Sequence, residues 1–301
     1  ASGHVGGFSD PLCKCEECGE AFRADHLVED ELDIESAEAM SNNILEKSII
    51  ENDIPCPACG GKLGSVYSFN LMFNSNIGPG NDKPAYLRPE TAQGMFINFL
   101  RLARYYREKL PFGVTQIGKS YRNEISPRQG VIRLREFTQA EAEIFIPPED
   151  KSHPEFDRYA DTILNLYIED ENAGAVRPTR LEDAVKEGYI AHEYLAYHIA
   201  LTQEFLLRIG IKPDKLRCRQ HKKDEMAHYA IDCWDAEIES DRFGWIETVG
   251  IADRTNYDLR AHTDASGTEL SIYREYEEPE TVKQFVVKPD MSKLGPAFKG
   301  K

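Results

Sequence analysis

Long apolar runs are absent from this 301-residue sequence, and no stretch approaches the roughly 18 apolar residues that a membrane-spanning helix needs. The first residues, Ala1-Ser2-Gly3-His4, also lack the basic and apolar regions of a signal peptide. We therefore expect a soluble, cytoplasmic protein that has no membrane partner. The sequence begins without Met, so we expect the gene product to be longer.

Basic charge is scarce: 36 Lys and Arg stand against 52 Asp and Glu, which gives a net charge of −16 and argues against a general polyanion binder. Two segments depart from this balance. Residues 101–145 contain nine basic and five acidic residues, and residues 201–223 contain seven and two. Such islands fit a specific phosphate site, although a solvated charged surface explains them equally well.

The sequence also has no glycine-rich phosphate loop of the Walker type, no dinucleotide-binding fingerprint and no internal repeat. A nucleotide, if one binds, would therefore be held by side chains. Hydrophobic residues make up 41% of the sequence and aromatic residues 10%, so a packed core is expected rather than disorder.

Cysteine is concentrated at the amino end, where five of the seven cysteines lie within the first sixty residues. Four of them form two C-x-x-C pairs, a spacing that lets two thiolates occupy adjacent corners of a zinc tetrahedron; the pairs are Cys15 with Cys18 and Cys56 with Cys59. Two disulfides or unligated thiols are the alternatives, and a reducing compartment disfavours disulfides. Cys13 is left over, and His4 and His26 are weaker ligand candidates.

The hydrophobic pattern predicts more hairpins than alternating strands and helices, which favours an α+β fold with an antiparallel β-sheet flanked by helices. We predict strands over 68–73, 112–126, 134–145, 228–238 and 243–252. We predict helices within 28–52 and over 91–110, 154–167 and 192–209, with Thr91 as an N-cap and a loop over 77–84.

The hairpin formed by 112–126 and 134–145 has two chemically different faces, because side chains alternate along a strand. One face carries Phe137, Gln139, Glu141 and Glu143, and this polar set is expensive to place on a sheet unless it lines a site. The other face carries Ala140, Ala142 and Ile144, and we expect it to pack on helices. Arg122 and Glu124, two residues apart, are expected to share a face of the partner strand.

These hairpin residues could hold a nucleotide. Arg122 and Arg133 offer forked donors to phosphate oxygens, Phe137 can stack on a base, and Glu124 can accept a hydrogen bond from an amino group. Taken singly, a cross-strand Arg122–Glu124 ion pair and a core position for Phe137 remain equally good explanations.

Specific strings strengthen the nucleotide hypothesis. Tyr121-Arg-Asn-Glu124, followed by Arg133, Phe137 and Glu141, resembles motif 2 of the class II aminoacyl-tRNA synthetases. Longer strings resemble the glycyl-tRNA synthetases of the archaeal and eukaryotic kind: YLRPETAQG over 86–94, FTQAE over 137–141, MAHY over 226–229, DCWDAE over 232–237 and WIETVGIADR over 245–254. This resemblance extends over nearly the whole sequence.

The resemblance implies a glycine-tRNA ligase that uses ATP and Mg²⁺, forms glycyl-adenylate and transfers glycine to tRNA-Gly, with a structural zinc and a homodimer. It implies that Arg122 binds the α-phosphate of ATP and stabilises charge during the attack on phosphorus. Phe137 would stack on adenine, Glu124 would bind the adenine amino group and Arg133 would support the phosphates. Glu90 and Glu141 would accept hydrogen bonds from the glycine ammonium, with Glu247 near the magnesium and ammonium and Arg254 at the same pocket.

Compared with that family, the sequence has no string matching motif 3, and motif 1 and the anticodon-binding domain are missing, so we expect a portion of the enzyme. We predict a zinc-knuckle insertion within 1–66, a catalytic core with motif 2 over 67–150, a mostly helical insertion over 151–227, and core strands followed by the start of another insertion over 228–301.

Two other functions are compatible with parts of the sequence. A non-catalytic paralogue could keep the fold as a nucleic-acid-binding or accessory subunit, but it would not need the ATP-contacting residues. A zinc-dependent interaction module would leave about 240 residues unexplained. Five basic residues could contact the tRNA acceptor stem or lie on a solvated loop: Lys215, Arg217, Arg219, Lys222 and Lys223.

Overall fold

The computed structural model describes residues 3–34, 37, 40–125, 132–168, 175–222, 226 and 230–273. The elements named below all lie in one compact unit, Ala1–Ser271. Within the described residues, no helix combines the length and the apolar character needed to cross a membrane.

The amino-terminal region builds a three-stranded antiparallel sheet with two helices packed on it. Its elements are α1 (His4–Gly7), β1 (Ser9–Lys14), β2 (Ala21–Arg23), α2 (Ala24–Leu32), α3 (Asn42–Glu51) and β3 (Tyr67–Asn70), and the sheet order is β2-β1-β3. The helices predicted within 28–52 and the strand predicted near 68 are confirmed. Val28, Leu45 and Ile49 form a small core around the buried cysteines of this region.

A short hairpin follows, where the sequence suggested a loop over 77–84. Strands β4 (Asn74–Ile77) and β5 (Lys83–Tyr86) pair in an antiparallel register. The loop prediction is wrong at its ends because Gly78 and Asn81 both adopt positive φ, at 100° and 52°, and close a tight connection that lets the flanking residues pair.

The helix predicted over 91–110 is two helices, α4 (Ala92–Ile97) and α5 (Phe99–Tyr105). Asn98 causes the break: its side-chain amide donates to the carbonyl of Gly94 at 2.8 Å and competes with the backbone ladder. Met95 and Phe99 are buried as expected, whereas Tyr106 is 39% exposed and does not continue the buried stripe.

The long hairpin is confirmed as β6 (Phe112–Tyr121) and β7 (Glu136–Phe145), with Phe112 opposite Phe145 and Tyr121 opposite Glu136. The connecting residues 126–131, which include the predicted loop Pro127–Gly130, lie outside the described residues. The predicted alternation of the two faces is confirmed by the burial pattern of β7.

The helices pack on the face that was not expected. Ala140, Ala142 and Ile144 are exposed, whereas α4 lies against the polar face of the hairpin. The prediction is wrong because the polar face ends in apolar residues at the base of the hairpin, where Val114 and Phe145 contact Ala92, Met95 and Phe96. Packing of these large side chains outweighs the small apolar area of the two alanines.

The remaining elements form a five-stranded sheet in the order β12-β11-β10-β8-β9, antiparallel except for the β8–β10 pair. They are β8 (Ile163–Tyr167), β9 (Val176–Arg180), α6 (Leu181–Lys186), α7 (Glu193–Arg208), β10 (Leu216–Gln220), β11 (Asp232–Ser240), β12 (Gly244–Asp253) and α8 (Tyr257–Ser266). Helix α7 and strands β11 and β12 confirm the predictions, although residues 228 and 229 lie outside the described part of the chain.

The helix predicted over 154–167 is wrong. This segment forms only a 3₁₀ turn, Phe156–Arg158, before strand β8. Leu164 and Leu166 are buried while Ile163 and Asn165 are not, a two-residue period that belongs to a strand. Both leucines pack with Trp234 and the buried side of α7, so the largest core among the described residues lies on one face of the five-stranded sheet. The opposite face carries charged residues.

Candidate active site

Arg122 follows the last residue of β6 and lies between two aromatic rings. Its guanidinium carbon is 5.5 Å from the centre of the Phe137 ring and 5.6 Å from that of Phe8, and its Nε donates to the carbonyl of Pro89 at 3.2 Å. These contacts hold the guanidinium plane in place over the hairpin. Phe8 had no signal in the sequence pattern, because it comes from a distant segment.

Arg122 and Glu124 do not share a strand face, contrary to the expectation. Strand β6 ends at Tyr121, and the Glu124 N–H donates to the Arg122 carbonyl at 2.8 Å, which turns the chain tightly. The carboxylate of Glu124 lies instead near Arg133, at 3.8 Å, and Arg135 Nε donates to the Glu124 carbonyl at 3.0 Å. Glu124 and Arg133 therefore meet at the mouth of the hairpin.

Glu90 lies just before α4 and is held by two side chains. Its Oε1 accepts from Gln93 Nε2 at 2.8 Å, and its Oε2 is 3.4 Å from His4 Nε2. Burial would raise the pKa of Glu90, but the hydrogen bonds from His4 and Gln93 outweigh it and hold the pKa below its usual value. His4, weighed above as a weak zinc candidate, thus belongs to this site.

Glu141 caps helix α4. Its Oε2 accepts from the backbone N–H groups of Thr91, at 2.6 Å, and Ala92, at 2.9 Å, and from the Thr91 hydroxyl. Thr91 lies at the N-cap position but makes no side-chain cap hydrogen bond, and the carboxylate from β7 supplies it instead. This cap fixes Glu141 and positions Glu90, one residue before Thr91, beside it.

Arg254, after β12, forms a two-bond ion pair with Asp258 of α8, with Nε–Oδ2 and Nη2–Oδ1 distances of 2.9 and 3.1 Å. Asp258 is 4% exposed and also accepts from Gln93 at 3.1 Å, which connects α8 to Glu90. The Arg254 guanidinium lies 5.4 Å from the Phe96 ring centre. Asp258 was not predicted from the sequence, because Arg254 lies before α8 and the two residues do not share a helix face that a helical spacing could reveal.

Glu247 lies on β12 near Asp235 of β11. Its pKa is raised by partial burial and then by the Asp235 carboxylate, while His221 and Arg122 oppose the shift. Asp235 accepts from His221 Nε2 at 2.7 Å, and this hydrogen bond raises the pKa of His221 to about 10. The positive charge of Arg122 therefore acts on Glu247, and the assignment of Glu247 to the ligand site stays a prediction.

The basic residues of β10 and Lys215, just before it, are already paired. Arg217 Nε is 2.6 Å and Arg219 Nε 3.8 Å from the Glu237 carboxylate, and Lys215 Nζ is 2.6 Å from Glu239. With the His221–Asp235 pair, they form a ladder between β10 and β11 that we call the charged face of the five-stranded sheet. These three residues therefore lie on and beside a strand rather than in a solvated loop, the acceptor-stem contact stays a prediction, and Lys223 lies outside the described residues.

The four cysteines of the C-x-x-C pairs converge, with their sulfur atoms all within 4.8 Å of one another. The Cys15–Cys59 and Cys18–Cys56 sulfur distances are 3.5 and 3.7 Å. Cys13 lies apart from this group, buried with its Sγ 3.9 Å from the Phe22 carbonyl, and burial raises the pKa of its thiol to about 11.

Comparisons with known proteins identify the family of the chain. Residues 76–177 match the family profile of the tRNA synthetase class II core domain (G, H, P, S and T). The chain is 60% identical over 302 residues to a glycine-tRNA ligase of Methanothrix thermoacetophila, 55% to one of Methanothermobacter thermautotrophicus and 54% to one of Methanocaldococcus jannaschii.

These alignments cover 99–100% of this chain and 52–53% of each relative, so the chain spans about half the length of the curated relatives it matches. A solved cytoplasmic serine-tRNA ligase of Naegleria fowleri aligns with 63% of this chain and 36% of its own, at 15% identity and a TM-score of 0.38, which is too low to support an argument. On the sequence matches, the chain belongs to the glycine-tRNA ligase family of class II aminoacyl-tRNA synthetases.

Proposed function

We propose that this chain carries the site at which a glycine-tRNA ligase activates glycine with ATP, before transfer to tRNA-Gly. The observation that carries the proposal is the juxtaposition of two features at the β6–β7 hairpin: the Arg122 guanidinium held over the Phe137 ring, and the carboxylates of Glu141 and Glu90 at the start of α4. Arg122 and Phe137 suit a nucleotide, and the two carboxylates suit an ammonium group.

On the nucleotide side, Arg122 binds the α-phosphate of ATP and Phe137 stacks on adenine. Glu124 accepts from the adenine amino group, and Arg133 supports the phosphates. The 3.8 Å approach of Arg133 to Glu124 supports a shared location for both at the hairpin mouth. A fixed, planar guanidinium suits a phosphate because it offers two parallel donors without reorganising.

On the amino acid side, Glu90 and Glu141 accept from the glycine ammonium, with Arg254 and Glu247 at the edges of the pocket. Glu141 Oε2 is committed to the helix cap, so Oε1 is the oxygen that faces a ligand. Glycine has no side chain to recognise, so a crowded acidic pocket selects it by excluding larger amino acids.

The reaction needs no protein nucleophile. A carboxylate oxygen of glycine attacks the α-phosphorus, the new O–P bond gives glycyl-adenylate, and pyrophosphate leaves with the electron pair of the broken bond. Catalysis then depends on holding the two reactants in line and on Arg122 stabilising the charge that develops on the α-phosphate.

Magnesium would enter with ATP, and the donor set near Glu247 fits it. Gly250 leaves a space between Glu247 Oε1 and Asp235 Oδ1, since an added Cβ there would lie 3.5 and 3.6 Å from them. Carboxylate oxygens are the ligands Mg²⁺ prefers, and the ion supplies neutralisation of phosphate charge when bound.

We propose a structural zinc for the four cysteines Cys15, Cys18, Cys56 and Cys59. Zinc–sulfur bonds of about 2.3 Å in a tetrahedron place the sulfurs about 3.8 Å apart. The observed 3.5 and 3.7 Å separations support this geometry, whereas a disulfide would need about 2.05 Å. Residues 1–66 would then form the zinc-bearing region of a cytoplasmic homodimer.

The remaining boundaries are also proposals: a core with motif 2 over 67–150, an insertion over 151–227 and further core from 228 to 301. Strands β8, β9 and β10 pair in the same sheet as β11 and β12, so the proposed insertion and the later core are one structural layer. The alternative of a non-catalytic accessory subunit gains no support, because Arg122, Phe137 and the pocket carboxylates are all present.

The test is glycine-dependent exchange of pyrophosphate into ATP, with alanine and serine as control substrates and Arg122→Ala beside the native sequence. Exchange with glycine alone that falls at least a hundredfold in the variant is expected, because Arg122 touches the reacting phosphate. If exchange is absent, binding of a non-hydrolysable glycyl-adenylate analogue decides the matter: failure to bind overturns the proposal.

A further inference from the structure

Glu143 differs from the other acids around the proposed glycine pocket. It lies on β7 two residues after Glu141, on the same face of the strand, and its side chain is largely buried. Among the described residues it makes no hydrogen bond or ion pair. The family resemblance implies no role for Glu143, and the strand pattern predicts only that it lies on the polar face of the hairpin with Glu141.

Each neighbouring carboxylate already has partners. Glu141 caps α4, Glu90 is bound by Gln93 and His4, and Asp258 is bound by Arg254 and Gln93. Glu143 is therefore the acid of this group that has its full acceptor capacity left for a ligand.

The charge balance identifies the kind of ligand. Three carboxyl groups, those of Glu90, Glu141 and Asp258, act electrostatically on Glu143, and Arg254 is the cation that acts on it. Burial raises the pKa of Glu143, Arg254 opposes the shift, and the carboxylates of Glu141, Asp258 and Glu90 add to it; together these effects bring the pKa to about 7. An added small cation with several N–H donors would relieve this excess of negative charge, and a primary ammonium has that chemistry.

We propose that Glu143 is a further glycine-binding residue, which gives up its proton when the substrate ammonium enters the pocket and then faces that ammonium as a carboxylate. The inference rests on the proposed glycine site and deepens it. The proton passes to solvent, so glycine binding at neutral pH is coupled to proton release by the protein. Free glycine already carries both its charges at pH 7 and cannot supply that proton itself.

The experiment is isothermal titration of the chain with glycine at pH 7.0 in two buffers of different ionisation enthalpy, phosphate and Tris. The difference in apparent enthalpy gives the number of protons released. A group that is half ionised near pH 7 should release about half a proton on complete ionisation. Glu143→Gln keeps the size and shape of the side chain and should reduce the release to zero. Glu136→Gln is the matched control, because Glu136 is on the same strand but exposed and paired with Lys119.

The outcomes separate the two proposals. Glycine binding without proton release, or release that persists in Glu143→Gln, overturns the role of Glu143 and leaves the glycine site standing. No glycine binding overturns both. If Glu143→Gln does not fold, the native sequence still decides: glycine affinity should rise about threefold to tenfold from pH 6 to pH 8, and a flat profile overturns the inference.

Discussion

Among individual side chains, Glu143 also has a consequence for stability. Between pH 4.5 and about 7 the folded protein keeps a proton on Glu143 that the unfolded chain has lost, so the free energy of unfolding falls as pH rises through this window. Glu143→Gln should remove this dependence and make the protein more stable at pH 8 by about 3 kcal/mol.

Urea denaturation at pH 5 and pH 8 measures the Glu143 effect. The native sequence and the exposed control Glu136→Gln should both lose stability between the two pH values, and the Glu143→Gln variant should lose less. Equal losses in all three proteins would show that Glu143 ionises normally.

Phe137 provides a second test at a single position. Replacement by Leu keeps apolar volume but removes the aromatic face beside Arg122, so the KM for ATP in pyrophosphate exchange should rise about tenfold while the KM for glycine stays within about twofold. Phe205→Leu, at a 56% exposed ring on α7, is the control and should change neither constant. A rise in the KM for glycine alone would show that Phe137 contacts glycine and not ATP, contrary to the prediction.

The candidate side chains of the site could be named from the sequence, but their surroundings could not. Residue type and spacing select Arg122, Phe137 and Glu141 on the hairpin, and the family resemblance adds Glu90. Phe8 could not be, since its contact with Arg122 joins segments more than a hundred residues apart and leaves no local pattern. The cap of α4 was missed for the same reason: its acceptor, Glu141, comes from another element.

At the level of elements, the sequence predicts strands that have two chemically different faces, but it does not predict which face packs against a helix. The alternation along β7 is local and was confirmed. The helix prediction over 154–167 is wrong because hydrophobic residues have no clear period before and within the 3₁₀ turn. The two-residue alternation that marks a strand appears only in the short stretch with Leu164 and Leu166. Which face of the β6–β7 hairpin meets α4 depends on Phe145 and Met95, and that is a tertiary contact.

The charged face of the five-stranded sheet yields a prediction for β10. Arg217 is paired with Glu237 and lies 4.2 Å from the ring centres of both Tyr167 and Trp245, so it is a structural cation rather than a free ligand contact. Arg217→Ala leaves Glu237, which is 8% exposed, without its closest partner and should lower the free energy of unfolding by about 3 kcal/mol. The exposed Arg242→Ala should cost less than about 0.5 kcal/mol.

Urea denaturation of the two arginine variants, together with tRNA binding at two salt concentrations, tests this assignment. Weaker binding by a variant that is fully folded and equally stable would instead favour the acceptor-stem contact for Arg217.

Across the chain as a whole, we expect the proposed active site to depend on the region of the four cysteines. The core around Cys13, Cys15 and Cys56 is separate from the core under the five-stranded sheet, so it can unfold without it. Yet β1 begins one residue after Phe8, and Phe8 contacts Arg122. Unfolding of the cysteine region should therefore displace Phe8 and disturb Arg122 on the nucleotide side of the site.

Removal of zinc tests this connection. Chelation, or Cys56→Ser, should abolish hydrogen-exchange protection in β1, α2 and α3 while β8, β10 and β11 stay protected, because zinc-binding free energy stabilises only the first core. The KM for ATP should then rise several-fold, since Phe8 no longer holds Arg122. Cys13→Ala is the matched control: Cys13 is buried in the same core but lies outside the four-sulfur group, so this variant should keep one zinc per chain by native mass spectrometry. If chelation unfolds the region and leaves the ATP KM unchanged, the cysteine region is an independent structural unit and the Phe8 contact has no part in nucleotide binding.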